Sequence, residues 1–414
     1  MTVGVRHDDL RRRNREMVLT AVRRAGQPSR TEIAARTGLS HSTISAIAAD
    51  LISEGALIEI RGGEAPTLKR GRPQVAVGLG QDAASVVSMV LSINHLGAAL
   101  IDYSGRTIVE QTRKPETMTL SREHLLAQTT EIVRDLLARS GNAAPPLARI
   151  VLAVQGTTDA AARRLLWSPI TPHADVEFGD VLSHEFGVPV AVENDCNMIA
   201  VALRWRDPEL YARDFMTMLL SRGIGMGMVL RGELFTGTHS SGVEFGHMIH
   251  RPDGALCRCG RRGCIEAYAG NYAIWRNAKR LADEEIPSAD IGDDEMKALA
   301  DAARGGDEAA RRAFFIAGEA LGFGLGSLFA LIDPAPVAVV GHGSLAFDLI
   351  EGPMRAAISR TAGGEHSGAI SFATEPDEMP LIREGCAMRG LTFVDELVSS
   401  GSLARALSQS SRMA

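Results

Sequence analysis

The chain has 414 residues, of which 45% are apolar and 23% are charged, and its formal net charge is −6. This length suffices for roughly two or three domains with large cores, and the mild acidic balance excludes a uniformly basic protein that coats nucleic acid. No apolar run reaches the ~18 residues of a membrane span, and no apolar segment follows the basic N-terminus as it would in a secretory signal. Three of the five cysteines lie between positions 257 and 264, which favours a metal site in a reducing compartment over a disulfide framework. We therefore expect a cytoplasmic protein without membrane insertion.

Charge is distributed unevenly along the chain. Residues 1–73 hold 13 Lys or Arg and 8 Asp or Glu, a net charge of +5, which leaves −11 for the remainder. A basic segment on an acidic body is typical of a chain that meets DNA at one end. Chance clustering of arginines on solvated helix faces would give the same pattern, and composition alone does not separate the two interpretations.

The N-terminal segment has the pattern of three helices. Residues 10–25 place apolar side chains on one stripe of a helix. A short helix is predicted to begin near Ser29 or Thr31 and to end at Gly38, and Ser40 can cap a longer helix after it. A short helix, a tight turn containing glycine and a longer helix form the helix-turn-helix pattern. The longer helix would enter the major groove with the short polar side chains of its first turns toward the base edges, namely His41, Ser42, Thr43 and Ser45.

A wing and a basic arm are predicted after the third helix. Residues 57–60 indicate a strand, and Gly62 and Gly63 indicate a turn. The later segment Arg70-Gly71-Arg72-Pro73 is extended and basic, so Arg70 and Arg72 are candidates for the minor groove, whose negative potential attracts arginine. Three-helix units also serve as interaction modules, and the basic segment could be a linker, but the order of the elements favours a DNA-binding domain.

From about residue 83 the pattern changes to strands that alternate with helices. Two successive halves of this kind suggest an α/β body with two lobes and a cleft between them. The predicted strands are 85–93, 98–103, 107–111, 149–154, 188–192, 216–220, 225–230, 234–236 and 337–340, and the predicted helices are 121–140, 178–187 and 306–332.

The cysteine cluster is the strongest chemical signal in the sequence. Cys257, Cys259 and Cys264 are soft ligands, and His247 precedes the first of them by ten residues. Three thiolates and one imidazole suit tetrahedral Zn²⁺, and four protein ligands would make the site structural rather than catalytic. By spacing alone His250 competes with His247. Buried thiols without a metal are the other interpretation, which the polar, arginine-rich flanks make weak.

A second candidate site directly follows a predicted buried strand. Asn194 and Asp195 would lie at the carboxyl end of that strand, where open α/β sheets usually bind ligands. An amide and a carboxylate side by side can bind vicinal hydroxyls, and the carboxylate could act as a general base on a sugar hydroxyl. Either residue could equally cap the next helix, and both roles are compatible.

Six motifs in a fixed order resemble the ROK family, which comprises repressors, open reading frames and sugar kinases. They are END (193–195), GIGMG (223–227), GELFTG (232–237), EFGH (244–247), CRCGRRGCIE (257–266) and GHGS (341–344). The resemblance covers about residues 83–395. Together with the helix-turn-helix and the basic arm, the chain looks like the regulator branch of the family, which includes the xylose and N-acetylglucosamine repressors.

The resemblance implies a fold and a set of site residues. The implied fold is a two-lobed actin-like (ribonuclease H-like) α/β body behind a winged helix-turn-helix domain at 1–80. The body would span 81–414, with a first lobe at about 81–200 plus a C-terminal helix at about 383–400, and a second lobe at about 201–382. Sugar contacts are implied for Asn194, Asp195, Glu244, His247 and Glu266, and structural zinc ligands for His247, Cys257, Cys259 and Cys264.

Departures from the family pattern favour a regulator over a kinase. A ROK kinase opens its first strand into D-x-G-G-T, whose backbone N–H groups approach the ATP phosphates, whereas this chain has Ser-Ile-Asn-His-Leu-Gly at 92–97. Arg222 replaces a small residue in the second phosphate segment, and the late G-G-G becomes Gly-His-Gly at 341–343. We therefore predict a sugar-responsive transcriptional regulator, a repressor of carbohydrate genes, that is not an enzyme and binds no ATP. Its partners would be operator DNA, a sugar or sugar-phosphate effector, and further copies of itself in a dimer or tetramer. The alternative is an ATP-dependent sugar kinase with an added DNA-binding head.

Overall fold

The computed structural model of the chain describes residues 7–60, 75–141, 144–284, 291–364, 368 and 370–413. The predicted turn at Gly62-Gly63 and the basic arm with Arg70 and Arg72 lie outside these residues.

The N-terminal head consists of three helices and a two-stranded antiparallel sheet: α1 (His7–Ala25), α2 (Arg30–Thr37), α3 (His41–Ser53), β1 (Leu57–Ile60) and β2 (Ala76–Leu79). Ser29 caps α2 in a reciprocal capping box with Glu32, and Gly38 ends it in the left-handed conformation. Ser40 caps α3 by accepting a hydrogen bond from the backbone N–H of Thr43. Side chains such as Ile44 and Leu51, which the apolar pattern predicts to face the core, are buried. The predicted helix-turn-helix and its wing strand are thus present.

The first five-stranded sheet has the strand order β5-β4-β3-β6-β9. A meander forms one side of it, and β6 and β9 continue it in parallel. Helix α6 begins directly where β9 ends, so the polar residues at this junction stand at the carboxyl edge of the sheet. The elements of this part are β3 (Ser85–Ser92), β4 (His95–Asp102), β5 (Thr107–Arg113), α4 (Arg122–Ser140), β6 (Leu147–Val154), β7 (Thr157–Thr158), β8 (Leu165–Trp167), α5 (Phe178–Phe186), β9 (Val190–Asn194) and α6 (Asp195–Arg206).

The second five-stranded sheet, ordered β12-β11-β10-β13-β14, repeats the plan of a meander followed by two parallel strands. This duplication gives the body its two lobes. Its elements are β10 (Phe215–Leu220), β11 (Ile224–Leu230), β12 (Glu233–Leu234), a 3₁₀ turn (Phe245–His247), α7 (Glu266–Ala269), α8 (Asn271–Ala278), α9 (Asp293–Arg304), α10 (Glu308–Ile332), β13 (Val337–Val340), a 3₁₀ turn (His342–Ala346), α11 (Phe347–Ile358), a 3₁₀ turn (Ala362–Gly364) and β14 (Phe372–Glu375).

The chain then returns to the first lobe through α12 (Glu378–Ser399), and α13 (Leu403–Met413) follows. Helix α12 packs closely on α6, since a Cβ at Gly385 would lie 1.9 Å from the carbonyl oxygen of Met198. A Cβ at Gly390 would likewise lie 3.1 Å from Val86 Cβ in the first sheet. The two glycines therefore seat α12 against both α6 and the sheet.

Polar contacts join the head to α12. Arg23 of α1 forms a bidentate pair with Asp395, and the hydroxyl of Tyr103 donates to the same carboxylate at 2.7 Å. Arg15 of α1 donates to the carbonyl of Val398 at 2.8 Å. The apolar core of the head also continues into the body past Tyr103 and α12, so the head is built onto the first lobe by buried contacts.

Helix α10 is the one helix in the described part of the chain that is long and apolar enough to cross a membrane. Half of its most apolar stretch is buried inside the protein, where residues such as Phe314 and Leu325 belong to the core of the second lobe. This is the burial expected of a core helix, and the signal for a membrane span is correspondingly weak.

Candidate metal centre and ligand cleft

His247, Cys257, Cys259 and Cys264 come together as a compact cluster. Their ligand atoms all lie within 4.8 Å of one another. The Sγ atom of Cys259 is 3.8 Å from that of Cys264, and the Sγ atom of Cys257 is 3.8 Å from Nδ1 of His247. Tetrahedral zinc with Zn–S bonds of ~2.3 Å holds its sulfur atoms ~3.8 Å apart. The donor set and its spacing therefore fit a zinc ion.

The backbone folds tightly around this cluster. Gly260 and Gly263 both have φ in the left-handed region, at 82° and 81°. A Cβ at Gly263 would lie 1.8 Å from the carbonyl oxygen of Arg251, so only glycine is accommodated there. The competing residue His250 lies elsewhere, with its ring 5.0 Å from that of Tyr268 and stacked 5.9 Å from that of Phe323.

Asn194 and Asp195 occupy the junction between β9 and α6. The side chain of Asn194 accepts from the backbone N–H of Asn197 as the helix cap, and its Nδ2 donates to the carbonyl of Gly156 at 2.9 Å. Asp195 is buried, and burial, reinforced by the carboxylate of Glu378, raises the pKa of Asp195 to about 6. Both sequence interpretations are thus compatible, because capping leaves the Asp195 carboxylate beside the edge of the sheet.

Glycines let the surrounding elements approach each other. A Cβ at Gly227 would lie 2.3 Å from the carbonyl oxygen of Cys196, so β11 packs directly on the start of α6. A Cβ at Gly246 would lie 2.2 Å from the carbonyl oxygen of Ile224, which seats the 3₁₀ turn with His247 on the same strand. These close approaches are the structural reason for two of the glycine-containing motifs.

Glu244 and Glu266 both lie near the metal cluster but differ in burial and in hydrogen-bond partners. Glu244 is exposed and accepts a hydrogen bond from the Thr157 hydroxyl at 2.7 Å. Glu266 is buried, accepts from the backbone N–H of Ile224 at 3.2 Å, and lies 3.7 Å from the Sγ atom of Cys257. Burial and the Glu266 carboxylate raise the pKa of the Cys257 thiol, and a coordinated cation would have to offset both effects to hold a thiolate there.

A cleft of about 310 Å³ opens beside the cluster and is lined by Trp167, Glu244, His247, Cys259 and Arg261. This volume is at the lower end of the range for small-molecule sites, about 300 Å³ and upward. Trp167, Arg261 and the neighbouring Thr157 were not anticipated. Trp167 ends the very short strand β8, which the sequence pattern did not predict.

Two of the segments that correspond to the phosphate loops of a kinase make local contacts within their own lobes. Residues 92–95 form a tight hairpin in which Asn94 has φ of 51° and exchanges hydrogen bonds with Thr117. The ring of His95 lies against the backbone of Gly97, 3.0 Å from an ideal Cβ. His342 lies 3.7 Å from the carboxylate of Asp293.

The cavity beside these segments in the second lobe is small. It measures about 50 Å³ and is lined largely by apolar side chains such as Phe314 and Ile350, with Gly343 and His342 at its edge. This is well below the roughly 300 Å³ at which small-molecule pockets begin.

The candidate DNA-reading residues lie at the start of α3. His41, Ser42 and Ser45 are exposed, whereas Thr43 is half-buried and its hydroxyl lies 2.8 Å from Ser40 Oγ. Thr43 is therefore partly committed to the helix cap, a role that the sequence analysis did not assign to it.

Part of the basic charge of the head is used within the protein. Arg11 pairs with Asp50 at 2.8 Å, and Arg15, which is 4% exposed, pairs with Glu54. Arg23 pairs with Asp395 of the body. Asp50 and Glu54 are already counted in the net charge of residues 1–73, so of these three pairs only the one between Arg23 and Asp395 lowers the charge that the head can present to a ligand.

The fold and the motifs together define a family. The sequence profile described as ROK family matches residues 91–377, and the chain belongs to this family. The xylose repressor of Caldicellulosiruptor bescii is 23% identical over 359 residues, which cover 86% of this chain and 89% of the repressor.

Two solved structures have the same fold. A ROK family transcriptional regulator, a homologue of the E. coli MLC protein, superposes with a TM-score of 0.75 at 20% identity and covers 96% of this chain and 99% of its own. A ROK family glucokinase from Streptomyces griseus, solved with glucose and AMPPNP, superposes with a TM-score of 0.57 at 24% identity and covers 73% of this chain and 98% of its own. The predicted fold class is confirmed.

Proposed function

We propose that the chain is a sugar-responsive DNA-binding transcriptional regulator that represses carbohydrate genes. The observation that carries this proposal is the union of a winged helix-turn-helix head with a two-lobed body whose cleft is lined by carboxylate, imidazole and aromatic groups. Similarity to a xylose repressor along most of both chains and to a regulator with the same complete architecture supports it.

In this proposal α3 reads operator DNA. His41, Ser42 and Ser45 would contact base edges from the exposed start of the helix, Thr43 would support them through the cap, and Arg70 and Arg72 would enter the minor groove. Two copies of the chain in a dimer, or pairs within a tetramer, would bind a palindromic operator with half-sites about one helical turn apart or a multiple of it.

The sugar would bind in the cleft beside the metal centre. Asn194, Asp195, Glu244, His247 and Glu266 would supply its polar contacts. Gly156 and Thr157 support this grouping, because Gly156 holds Asn194 through its carbonyl and Thr157 holds Glu244 through its hydroxyl. Zinc on His247, Cys257, Cys259 and Cys264 would be structural, fixing the loop that carries one wall of the cleft, since four protein ligands leave no open position.

Helix α12 contacts both the edge of the proposed sugar site and the DNA-binding head, and would couple the two. Arg389 of this helix pairs at 2.9 Å with Glu193, the residue directly before Asn194. Six residues farther along the same helix, Asp395 holds Arg23 of the head. A sugar that favours one arrangement of the cleft edge would thereby favour one position of the head, which is the coupling an allosteric repressor requires.

A kinase is the alternative function, supported by the fold shared with a glucokinase. The crowded hairpin at Asn94 and His95, and the cavity of about 50 Å³ in the second lobe, favour a regulator that does not use ATP. Incubation with Mg-ATP and D-glucose, D-xylose or N-acetyl-D-glucosamine separates the two. We expect no sugar-dependent ADP release; release at enzymatic rates would establish the kinase.

The DNA-binding half of the proposal is tested by selecting genomic fragments with the full-length protein and measuring affinity by fluorescence anisotropy at a fixed salt concentration. We expect a preferred fragment, and we expect Ser45→Glu to weaken binding to it by at least tenfold, because a carboxylate would face the DNA. Ser53→Glu, at the far end of the same helix, is the matched control and should bind nearly as the unmodified protein does. Equal affinity for the preferred fragment and random duplex would contradict a sequence-specific regulator.

A further inference from the structure

Trp167 is a large aromatic residue in a position that the core of the protein does not explain. It ends the short strand β8, and its side chain remains 42% exposed. The indole ring is large, rigid and mostly apolar, with a single polar N–H group. Its position at the rim of the 310 Å³ cleft gives it a surface on which a ligand can pack.

The ring is held beside the metal centre. Its centroid lies 6.0 Å from that of His247, and the planes meet at 81° in an edge-to-face contact. Among the described residues that line the cleft, Trp167 is the only tryptophan, tyrosine or phenylalanine, whereas Glu244 and Arg261 contribute charge. The cleft therefore has one apolar wall and polar groups elsewhere.

The backbone ties this wall to the groups proposed to bind sugar hydroxyls. Trp167 pairs with Thr157 across the β7–β8 sheet, and Thr157 holds Glu244. The adjacent Gly156 has φ of 147°, and a Cβ there would lie 2.4 Å from the carbonyl oxygen of Trp167. Gly156 also accepts from Asn194. The indole, the Glu244 carboxylate and the Asn194 amide are thus fixed to one pair of short strands.

We propose that Trp167 is the stacking platform of the ligand cleft and determines specificity for a ring-closed monosaccharide. This inference rests on the proposed function. A pyranose has hydroxyl groups around its edge and a face of C–H groups, so the edge would meet Glu244, which lines the same cleft, while the face rests on the indole. Stacking on a rigid aromatic surface buries apolar area at little cost in side-chain entropy.

The test uses the intrinsic fluorescence of the full-length protein, which has three tryptophans, at 167, 205 and 275. The protein is titrated with D-glucose, D-xylose and N-acetyl-D-glucosamine, and binding is measured in parallel by calorimetry. We expect the sugar that binds to change the emission spectrum. Trp167→Phe should lose that change with an affinity reduced by about threefold, whereas Trp167→Ala should bind about tenfold more weakly or worse. Trp275→Phe, a partly buried tryptophan outside the cleft, should keep both the change and the affinity.

The outcomes separate this inference from the function on which it rests. If the unmodified protein binds a sugar and Trp167→Ala binds it with the same affinity, the stacking role is wrong while the regulator stands. If none of the three sugars binds the unmodified protein, the proposed function fails and the inference fails with it. Circular dichroism and zinc content that match those of the unmodified protein show that the variants are folded.

Discussion

Arg23 and Asp395 lie 372 positions apart in the sequence and form a two-pronged ion pair with N···O distances of 2.9 and 2.7 Å. Burial leaves the side chain of Arg23 4% exposed and that of Asp395 12% exposed. Desolvation by burial lowers the pKa of Arg23, but the attraction of Asp395 outweighs it and the pKa is raised. The guanidinium therefore remains charged at the interface between head and body.

Removal of Arg23 should destabilise the whole chain. In the described part of the chain, Arg23→Gln would leave the buried Asp395 carboxylate with the Tyr103 hydroxyl as its one remaining partner. The loss of one member of a buried pair costs about 3–5 kcal/mol. Thermal and urea unfolding of the full-length protein measure this. Arg12→Gln, which removes the exposed pair with Glu16, is the control and should change stability by about 0.5 kcal/mol or less. Similar losses in the two variants would contradict a joint held by this pair.

Arg389→Gln should weaken the effect of sugar binding on operator affinity. The variant keeps the cleft and α3, so sugar should still raise the melting temperature and operator affinity without sugar should stay within about threefold. The factor by which sugar weakens operator binding should fall severalfold, because the contact between Glu193 and α12 is lost. Fluorescence anisotropy with and without saturating sugar measures this factor. Arg360→Gln, an exposed pair with Glu319 in the second lobe, should keep full coupling. An unchanged factor in Arg389→Gln would show that coupling takes another route.

Two histidines three positions apart should behave differently toward zinc. His247→Ala should lose most of the bound metal and unfold at a lower temperature, because a structural zinc ion adds its binding free energy to folding. His250→Ala should retain one zinc per chain, since its ring packs on Tyr268 and Phe323. Mass spectrometry of the metal in dialysed protein distinguishes them. Retention of zinc by His247→Ala would remove this histidine from the ligand set.

The carboxyl group of Asp195 should make stability depend on pH. Its pKa is raised from 3.8 to about 6 by burial and by Glu378, so between these values the native state binds the proton more tightly than the unfolded chain does. The contribution is fully present below pH 4 and is lost as the pH rises through 6. Asp195→Asn has no carboxyl group at this position and lacks this loss. The free energy of unfolding of the variant, relative to that of the unmodified protein, should therefore rise by about 1 kcal/mol between pH 5 and pH 8. Urea unfolding at both pH values tests the difference, and a constant difference in stability between the two proteins would contradict a raised pKa.

Asp195→Ala should abolish the sugar-dependent thermal shift and leave operator affinity largely intact.

Local rules of sequence predicted the helix-turn-helix well, because its signals lie within a few residues of one another. Ser29, Gly38 and Ser40 cap their helices as the residue types indicate. The cluster of three cysteines and His247 could likewise be predicted, since the three cysteines fall within eight positions and glycines mark the turns between them. The choice of His247 over His250 came from the family resemblance and agrees with the observed cluster.

Contacts between residues that are far apart in the chain could not be predicted from the sequence. Arg15 and Arg23 look like ordinary surface arginines on a basic helix, and only the return of α12 to the first lobe turns them inward. Trp167 carries no motif, because its position depends on the pairing of β7 with β8 and on the later turn with His247. The lobe boundaries, the sugar contacts and the role of Arg70 and Arg72 stay predictions.

The close seating of Gly385 on the carbonyl of Met198 has a mechanical consequence. Backbone meets backbone at this point and apolar side chains pack around it, so we expect α6 and α12 to move together. A displacement of the cleft edge would then reach the head through the contacts of α12 with α1. In the proposed dimer or tetramer, the distance between two α3 helices would then be set by rotation of each first lobe as a unit.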